Sequence, residues 1–373
     1  MNRVVPCIVA VAAASVCVAP AQSTVRSEKH SFKIETVAEG LRNPWGMEML
    51  PDGRFLVTER PGRLRIIGAD GQLQKEPVAN VPEVVARGQG GLLDVRLHPN
   101  YAQNGWIYLS YSKPLRGGSL TSIIRGKLKG NALTEIQTVF DPPAEEATNS
   151  SVHFGNRIEF DGKGFMYFPI GERGAQENAQ KLENVKGKVH RLHDDGRVPA
   201  DNPFVKQRGA RPSIWSYGNR NIQGLRFKPG TGELYASEHG PRGGDELNLI
   251  RRGLNYGWPV ITYGINYSGA KISDLTHQEG MEQPVKQWTP SPAFCGMDFY
   301  TGDKFPQWKG NLFISALALQ KVHRLVINNG KVTQEETLLE RTGRIRDIRS
   351  FRDGLLYVIY DEPGKIVRLV PEG

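Results

Sequence analysis

WGMEMLPDGRFLVTE, residues 45–59, alternates apolar with other side chains on both sides of a Pro-Asp-Gly turn. Period-2 alternation around an Asp-Gly turn predicts a β-hairpin. Similar patterns begin at Leu92, Asn156, Gly224, Gly296 and Ile348. Six similar hairpins predict radial repetition, and therefore an all-β chain folded as a six-bladed β-propeller. A β-sandwich is the simpler alternative, but it does not require six similar hairpins.

The composition agrees with a fold rich in turns and limits the partners of the chain. Gly accounts for 42 of 373 residues, above the usual share of about 7%. The formal net charge is +9. No dense basic run is interleaved with aromatic residues, so nucleic acid is not an expected partner. Beyond the N-terminus no apolar stretch approaches membrane length, so no stable membrane insertion is expected.

The N-terminus has the pattern of a secretory signal peptide. Arg3 precedes an apolar stretch that ends at Val18, and small residues follow at Ala19-Pro20-Ala21. This pattern predicts a signal peptide over residues 1–21 that is cleaved, and a periplasmic or secreted protein. The propeller domain is predicted over residues 32–371. After cleavage Cys295 is the only cysteine, so no intrachain disulfide is expected.

Two polar residues lie directly before predicted blade strands. His153 lies in SSVHFGNRIEF, at the entrance of a strand. It is either a packed, hydrogen-bonded histidine or a general base near the mouth of the channel. Gln89 lies in the Gly-rich turn RGQGGLLDV. A phosphate-binding loop is disfavoured there, because no helix follows the turn.

Arginine and amide side chains cluster at two further strand starts. Arg220, Asn221 and Gln223 stand together in SYGNRNIQGLRF. A guanidinium fork beside two amides suits a rigid ligand rich in carboxylates and carbonyls. Arg344 and Arg346 alternate along the predicted strand GRIRDI, so they share one face. Two like charges on one face are either solvated or neutralised by an anion.

Seven segments together resemble one known family. They are GQGGLLDVRLHPNY, VHFGNRIEF, YGNRNIQGL, SEHGPRGGDELNLI, NYGWP, GMDFYTGD and GRIRD, found in one order between about Thr36 and Val370. The chain resembles the glucose/sorbosone dehydrogenase family, and in particular its bacterial aldose sugar dehydrogenases. These are soluble quinoproteins that use pyrroloquinoline quinone (PQQ). The resemblance implies a six-bladed propeller with PQQ bound over the central channel.

The resemblance also implies roles for individual residues. His153 resembles the catalytic base of the family. Gln89, Arg220 and Asn221 resemble its cofactor contacts, and Gln223 is close to them. Arg344 and Arg346 resemble the arginines that face the carboxylates of the cofactor.

A calcium role is implied for the segment EHGPRGGDELNLIRRGLNYGWP, residues 238–259. In the family, Gly240 and Pro241 would offer backbone carbonyls to a calcium ion held against PQQ. Glu246 and Tyr256 resemble a second, structural calcium site. Calcium prefers six to eight oxygen ligands in flexible geometry. A Gly-Pro-x-Gly-Gly loop can turn its carbonyls toward such an ion.

Three positions depart from the glucose dehydrogenases of the family. Val152 stands where those enzymes carry Asp before the base, and Glu172 replaces the Asp of the next motif. Glu172 is therefore expected to orient His153. Ala318 stands where a cofactor-facing Lys is usual, although Lys321 is close. The first two changes agree with the aldose branch, and the third removes one expected PQQ contact.

The resemblance implies oxidation of an aldose at its anomeric carbon to the lactone, with PQQ as hydride acceptor and calcium as Lewis acid. His153 would remove the hydroxyl proton, and Arg220 would stabilise developing negative charge. The electron acceptor is not identified. Two alternatives remain open: a calcium-dependent lactonase, and a non-catalytic sugar- or protein-binding propeller.

Overall fold

Six antiparallel β-sheets are arranged as the blades of a propeller around a central channel. The computed structural model describes residues 24–372. Each of the six predicted hairpins supplies the first two strands of one blade, so the predicted fold class is confirmed. The predicted signal peptide, residues 1–21, lies outside the described residues.

The strands follow one another blade by blade along the chain. Two strands precede the first blade: β1 (Val25–Arg26) and β2 (Ser31–Ala38). Blade 1 contains β3 (Pro44–Met49), β4 (Phe55–Glu59) and β5 (Arg63–Ile67). Blade 2 contains β6 (Leu92–Leu97), β7 (Trp106–Leu115), β8 (Gly118–Lys129) and β9 (Ala132–Phe140). Blade 3 contains β10 (Glu159–Phe160), β11 (Phe165–Ile170), β12 (Lys188–His193) and β13 (Ile214–Tyr217).

The second half of the chain continues the pattern. Blade 4 contains β14 (Ile222–Phe227), β15 (Leu234–Glu238), β16 (Asp245–Ile250) and β17 (Lys286–Trp288). Blade 5 contains β18 (Phe294–Phe299), β19 (Leu312–Ala316), β20 (Lys321–Asn328) and β21 (Lys331–Leu338). Blade 6 contains β22 (Arg344–Ser350), β23 (Leu356–Glu362) and β24 (Lys365–Pro371).

Helical structure is short and lies between strands. The helix α1 is Tyr101–Asn104, and 3₁₀ turns form at Ala144–Glu146, Gln176–Gln180 and Pro306–Trp308. Over residues 24–372, no helix has the length and apolar character needed to cross a membrane.

The two ends of the chain meet in blade 6. Strand β2 runs antiparallel to β24, with Phe32 opposite Pro371 and Ile34 opposite Leu369. An N-terminal strand therefore completes the last blade. Backbone hydrogen bonds close the ring in this way, and they also cover the edge of β24 that would otherwise be unpaired.

The hydrophobic core is divided among the six interfaces between neighbouring blades. Between blades 1 and 2, for example, Leu56 packs in one cluster with Val95 and Leu109. Between blades 6 and 1, Ile359 packs in one cluster with Met47. All five side chains are fully buried. Burial of each side chain contributes roughly 1.5–3 kcal/mol to folding. Because these buried residues are the apolar residues of alternating strands, the alternation in the sequence locates the blades.

An ionic ring closes one end of the channel. It takes one residue from the first strand of each blade, with acids and arginines alternating: Glu48, Arg96, Glu159, Arg226, Asp298 and Arg349. Each neighbouring pair is joined by a salt bridge, with nitrogen-to-oxygen distances between 2.6 and 3.6 Å. Because charges of opposite sign must alternate, such a ring can close only on an even number of blades.

Two residues before each member of the ionic ring, a second layer of residues fills the channel. In blades 2, 3 and 6 this position is Asp94, Arg157 and Asp347, and Arg157 Nη1 bridges the two carboxylates at 3.1 and 3.0 Å. The other three blades carry glycine here. A Cβ at Gly296 would lie 1.7 Å from Asp347 Oδ1, so only glycine leaves room for the bridge. The channel is therefore filled, and residues that precede the first strands gather at its other end.

Candidate active site

A cavity of about 360 Å³, here the large cavity, lies at the end of the propeller where the first strands begin. Of the residues predicted to contact a cofactor, Gln89, Gln223, Arg344 and Arg346 line it. Its volume is within the range of small-molecule sites. The sequence patterns at three different strand starts therefore converge on one cavity.

The large cavity is basic. Arg60, Arg344 and Arg346 line it against one acid, Asp361. Arg346 Nη1 donates to Gln223 Oε1 at 3.2 Å, but the buried Arg346 Nε has no hydrogen-bond partner among residues 24–372. A buried guanidinium N–H without a partner is costly, and a ligand carboxylate would satisfy it.

His153 and Glu172 form a hydrogen-bonded pair next to this cavity. His153 Nδ1 lies 2.6 Å from Glu172 Oε1. The Glu172 side chain is 1% exposed and that of His153 is 14% exposed. The backbone N–H of His153 donates to Gln89 Oε1 at 2.8 Å. Glu172 thus holds the imidazole through Nδ1, which leaves Nε2 as the nitrogen that can accept a proton.

The surroundings of His153 keep its imidazole in the neutral form. Burial lowers its pKa below the usual 6.5, the hydrogen bond that Nδ1–H donates to the Glu172 carboxylate raises it, and the positive charge of Arg220 lowers it again. The net shift is downward, and a neutral imidazole is the form required of a general base.

Asn221 and Arg220 do not line the large cavity, but they make hydrogen bonds to residues that do. Asn221 Oδ1 accepts hydrogen bonds from the Gly155 N–H and from Gln223 Nε2, both at 3.0 Å. Asn221 therefore fixes the wall of the large cavity, which it does not line. Arg220 Nη1 donates to the His239 carbonyl at 2.9 Å, and its Nε is buried without a partner in the described chain.

Arg220 also lines a second, small cavity of about 20 Å³ that contains two buried glutamates. Glu238 and Glu246 are direct cross-strand partners on β15 and β16. Burial and the neighbouring Glu238 raise the pKa of Glu246 to about 8. Burial also raises the pKa of Glu238, although its Oε2 accepts from Asn219 Nδ2 at 2.9 Å. Two buried carboxylates that face each other need a proton or a cation between them.

The predicted calcium residues line two neighbouring cavities, and Gly240 lines both of them. Glu246 and Tyr256 line the small cavity. The Tyr256 hydroxyl donates to the Leu249 carbonyl at 2.5 Å and accepts the Arg251 N–H at 2.8 Å. Since the hydroxyl already donates one hydrogen bond and accepts another, the backbone carbonyl is the Tyr256 oxygen better suited to bind a cation.

Gly240 also lines the small cavity, and together with Pro241 it lines a loop cavity of about 250 Å³. The loop cavity and the large cavity share His239, Tyr267 and Ala318 in their linings. Within residues 24–372, no hydrogen bond ends on the Gly240 carbonyl oxygen. That oxygen is free to bind an ion beside the large cavity.

The structure also locates the positions that depart from the family pattern. Ala318 lines the large cavity, as the position of the usual lysine implies. Lys321 begins β20 and is not among the lining residues of this cavity. Val152 is half-buried and leaves the contact with His153 to Glu172.

The sequence analysis missed several residues of the site. Trp45, Arg60 and His239 line the large cavity, and burial lowers the pKa of His239 to about 3. Trp45 begins the first predicted hairpin and His239 lies in the segment of residues 238–259, but the patterns there gave no role to either residue or to Arg60. Glu238 could have been found, because pairing β15 with β16 around the intervening glycines places it opposite Glu246.

Fold and site together define a six-bladed β-propeller with a closed channel, a basic cavity at one end and a carboxylate-paired histidine beside it. The sequence family described as Glucose / Sorbosone dehydrogenase matches residues 41–368, and the chain belongs to this family. The resemblance found in the sequence is thereby confirmed.

Individual relatives cover most of the chain. Aldose sugar dehydrogenase YliI of Escherichia coli (strain K12) is 45% identical over 349 residues, which are 91% of this chain and 93% of the relative. The apo crystal structure of the soluble aldose sugar dehydrogenase from Escherichia coli matches with a TM-score of 0.86 and 43% identity, covering 91% of this chain and 100% of that one. The PQQ-bound form of an aldose sugar dehydrogenase from Streptomyces coelicolor matches with a TM-score of 0.74 and 29% identity, covering 93% and 100%.

Proposed function

We propose that the protein oxidises aldose sugars at the anomeric carbon to lactones, with PQQ as hydride acceptor and calcium as Lewis acid. The observation that carries this proposal is the His153–Glu172 pair, 2.6 Å apart, beside a cavity lined by three arginines. Family membership supports an oxidoreductase that acts on sugars. The PQQ-bound relative supports the choice of cofactor.

The large cavity fits PQQ by charge. PQQ has three carboxylates, and burying ionised carboxylates without partners costs several kcal/mol each. Arg60, Arg344 and Arg346 provide positive charge, and the unpaired Arg346 Nε is an unused donor. Gln89 and Gln223 add amide groups to the same lining. When bound, PQQ would accept the hydride and a calcium ion would polarise its quinone oxygen.

His153 is the residue that moves the proton. Its Nε2 would accept the hydroxyl proton of the sugar, and the Glu172 carboxylate would stabilise the resulting imidazolium through Nδ1. Arg220, which is held by the His239 carbonyl at 2.9 Å, would contribute positive charge near His153. Gly240 and Pro241 would offer carbonyls to the calcium ion. Glu246 and Glu238, with the Tyr256 carbonyl, would bind a second one.

The lactonase alternative is disfavoured by the arrangement of acids. It would need several carboxylates converging on one metal in the channel. In residues 24–372 no group of three or more His, Cys, Asp or Glu side chains is placed to hold a metal ion. Asp94 and Asp347 do meet in the channel, but Arg157 bridges them.

An aldose and a separate electron acceptor are the proposed partners of the protein. The signal-peptide pattern of residues 1–21 supports export to the periplasm or the medium.

Cofactor binding and reduction test the proposal directly. Added together with calcium, PQQ is expected to bind, and an aldose is expected to reduce it, as seen in the absorbance spectrum. With a chelator present, binding is expected to weaken and the melting temperature to fall. A ligand at 100 times its Kd stabilises the folded state by about 2.7 kcal/mol. In the variant Glu246→Gln the calcium-dependent rise in melting temperature should be smaller, because one proposed calcium ligand is removed.

Two results would contradict this proposal. Absence of PQQ binding with calcium present would favour the non-catalytic propeller. Unchanged activity after exhaustive chelation, with cofactor removed and re-added, would refute the role of the metal.

Glu172→Gln is expected to shift the pH profile toward lower pH. kcat/KM should fall as the pH drops through the pKa of His153, which lies below 6.5. Glu172 raises that pKa, so its removal should move the acidic limb to lower pH. Turnover should also fall by about 10-fold, because one charge-assisted hydrogen bond contributes about 1.5 kcal/mol. An acidic limb that moves upward or stays in place would refute the orienting role of Glu172.

A further inference from the structure

Tyr267 differs from every other aromatic residue that the structure describes. Its side chain is 75% exposed, whereas the other Phe, Trp and Tyr side chains of residues 24–372 are buried or half-buried. Exposed aromatic surface forgoes the free energy of burial, so its presence at a site points to a binding partner. The position of Tyr267 indicates which kind of ligand that partner is.

Tyr267 lies at the tip of a short hairpin that is fixed at its base. Ile265 and Arg242 exchange both backbone hydrogen bonds, at 3.0 and 3.1 Å. The turn is closed by the Asn266 N–H to the Ala270 carbonyl at 2.9 Å. The hairpin is thus anchored to the loop that carries Gly240 and Pro241, so Tyr267 has a set place relative to the proposed calcium ligands.

The ring of Tyr267 borders both the large cavity and the loop cavity. The Trp and Phe side chains of the large cavity, Trp45 and Phe154, are 3% and 2% exposed. The Arg157 guanidinium lies 4.0 Å from the centre of the Trp45 ring, and that of Arg173 lies 3.4 Å from the centre of the Phe154 ring. Tyr267 is therefore the aromatic ring of this lining whose surface is open to a ligand.

We propose that Tyr267 forms the aromatic wall against which the sugar ring packs at the mouth of the large cavity, and that it sets the affinity for the sugar. This inference rests on the proposed function. A pyranose presents an apolar C–H face and polar hydroxyl edges. The C–H face suits the Tyr267 ring, and the hydroxyl edges suit Arg60 and Asp361 in the same lining.

The test compares Tyr267→Ala and Tyr267→Phe in protein loaded with PQQ and calcium. The KM for D-glucose is expected to rise about 10-fold in Tyr267→Ala with kcat within about twofold, because the packing is equal in ground and transition states. Tyr267→Phe keeps the ring and should retain the KM. The matched control is Leu275→Ala, since Leu275 is exposed in the same loop and does not line the cavity.

A second readout separates this inference from the proposed function. The Kd for methyl glucoside, which has no free anomeric hydroxyl, is measured by NMR in the same proteins. Tyr267-dependent binding without turnover would support Tyr267 and refute the dehydrogenase. Turnover with KM and Kd unchanged in Tyr267→Ala would refute the role of Tyr267 alone. Neither turnover nor binding in the wild-type protein would overturn both.

Discussion

His153→Gln is expected to lower turnover of a saturating aldose by about 10²–10⁴-fold, the usual loss when one positioned base is removed. Glutamine cannot accept the proton, although its side chain is close in size to histidine. PQQ binding should remain, because Arg344 and Arg346 line the cavity independently of His153. Steady-state turnover alongside a PQQ titration measures both effects.

Glu172→Gln is the internal comparison for this variant, because it alters the orientation of the base and not its presence. Its loss should therefore be smaller. Near-normal turnover in His153→Gln would refute the assignment of the base. A variant that binds no PQQ would instead place His153 among the residues that hold the cofactor.

Arg157→Met is expected to destabilise the fold by about 3–5 kcal/mol, the usual cost of removing one partner from a buried ion pair. Arg157 is 1% exposed and bridges Asp94 and Asp347, neither of which is exposed. Its Nε also donates to the Gln223 carbonyl at 2.9 Å. Methionine fills part of the space but leaves Asp94 without its cation and Asp347 with only Arg349, 3.8 Å away. The free energy of unfolding in urea measures the loss.

Two further variants make this measurement specific. Arg197→Met removes a pair with Asp195 in which the Arg197 side chain is 74% exposed, and the change should stay within about 0.5 kcal/mol. Adding Asp94→Asn to Arg157→Met removes the carboxylate that has lost its cation, so part of the stability should return. If Arg157→Met were as stable as Arg197→Met, the channel bridge would contribute nothing to the fold.

Part of the active site was predictable because its residues occupy local positions relative to strands. His153, Arg220 and Arg344 precede or begin first strands, and the first strands of a propeller start at one end of the channel. Strand starts can be located from alternation alone. The chemical type of these side chains then indicated a basic, proton-accepting site, and the cavity contains or adjoins all three.

The sequence by itself determined the six hairpins, because a period of two is a property of neighbouring residues and each hairpin buries its own apolar face. Only the tertiary structure decided which polar groups meet. The ionic ring joins one residue from each blade, from Glu48 to Arg349, and Glu172 reaches His153 from across its own blade. β2 becomes part of blade 6 although it precedes blade 1 in the chain. These contacts depend on strand register and on closure of the ring, which bring together residues that no local pattern relates.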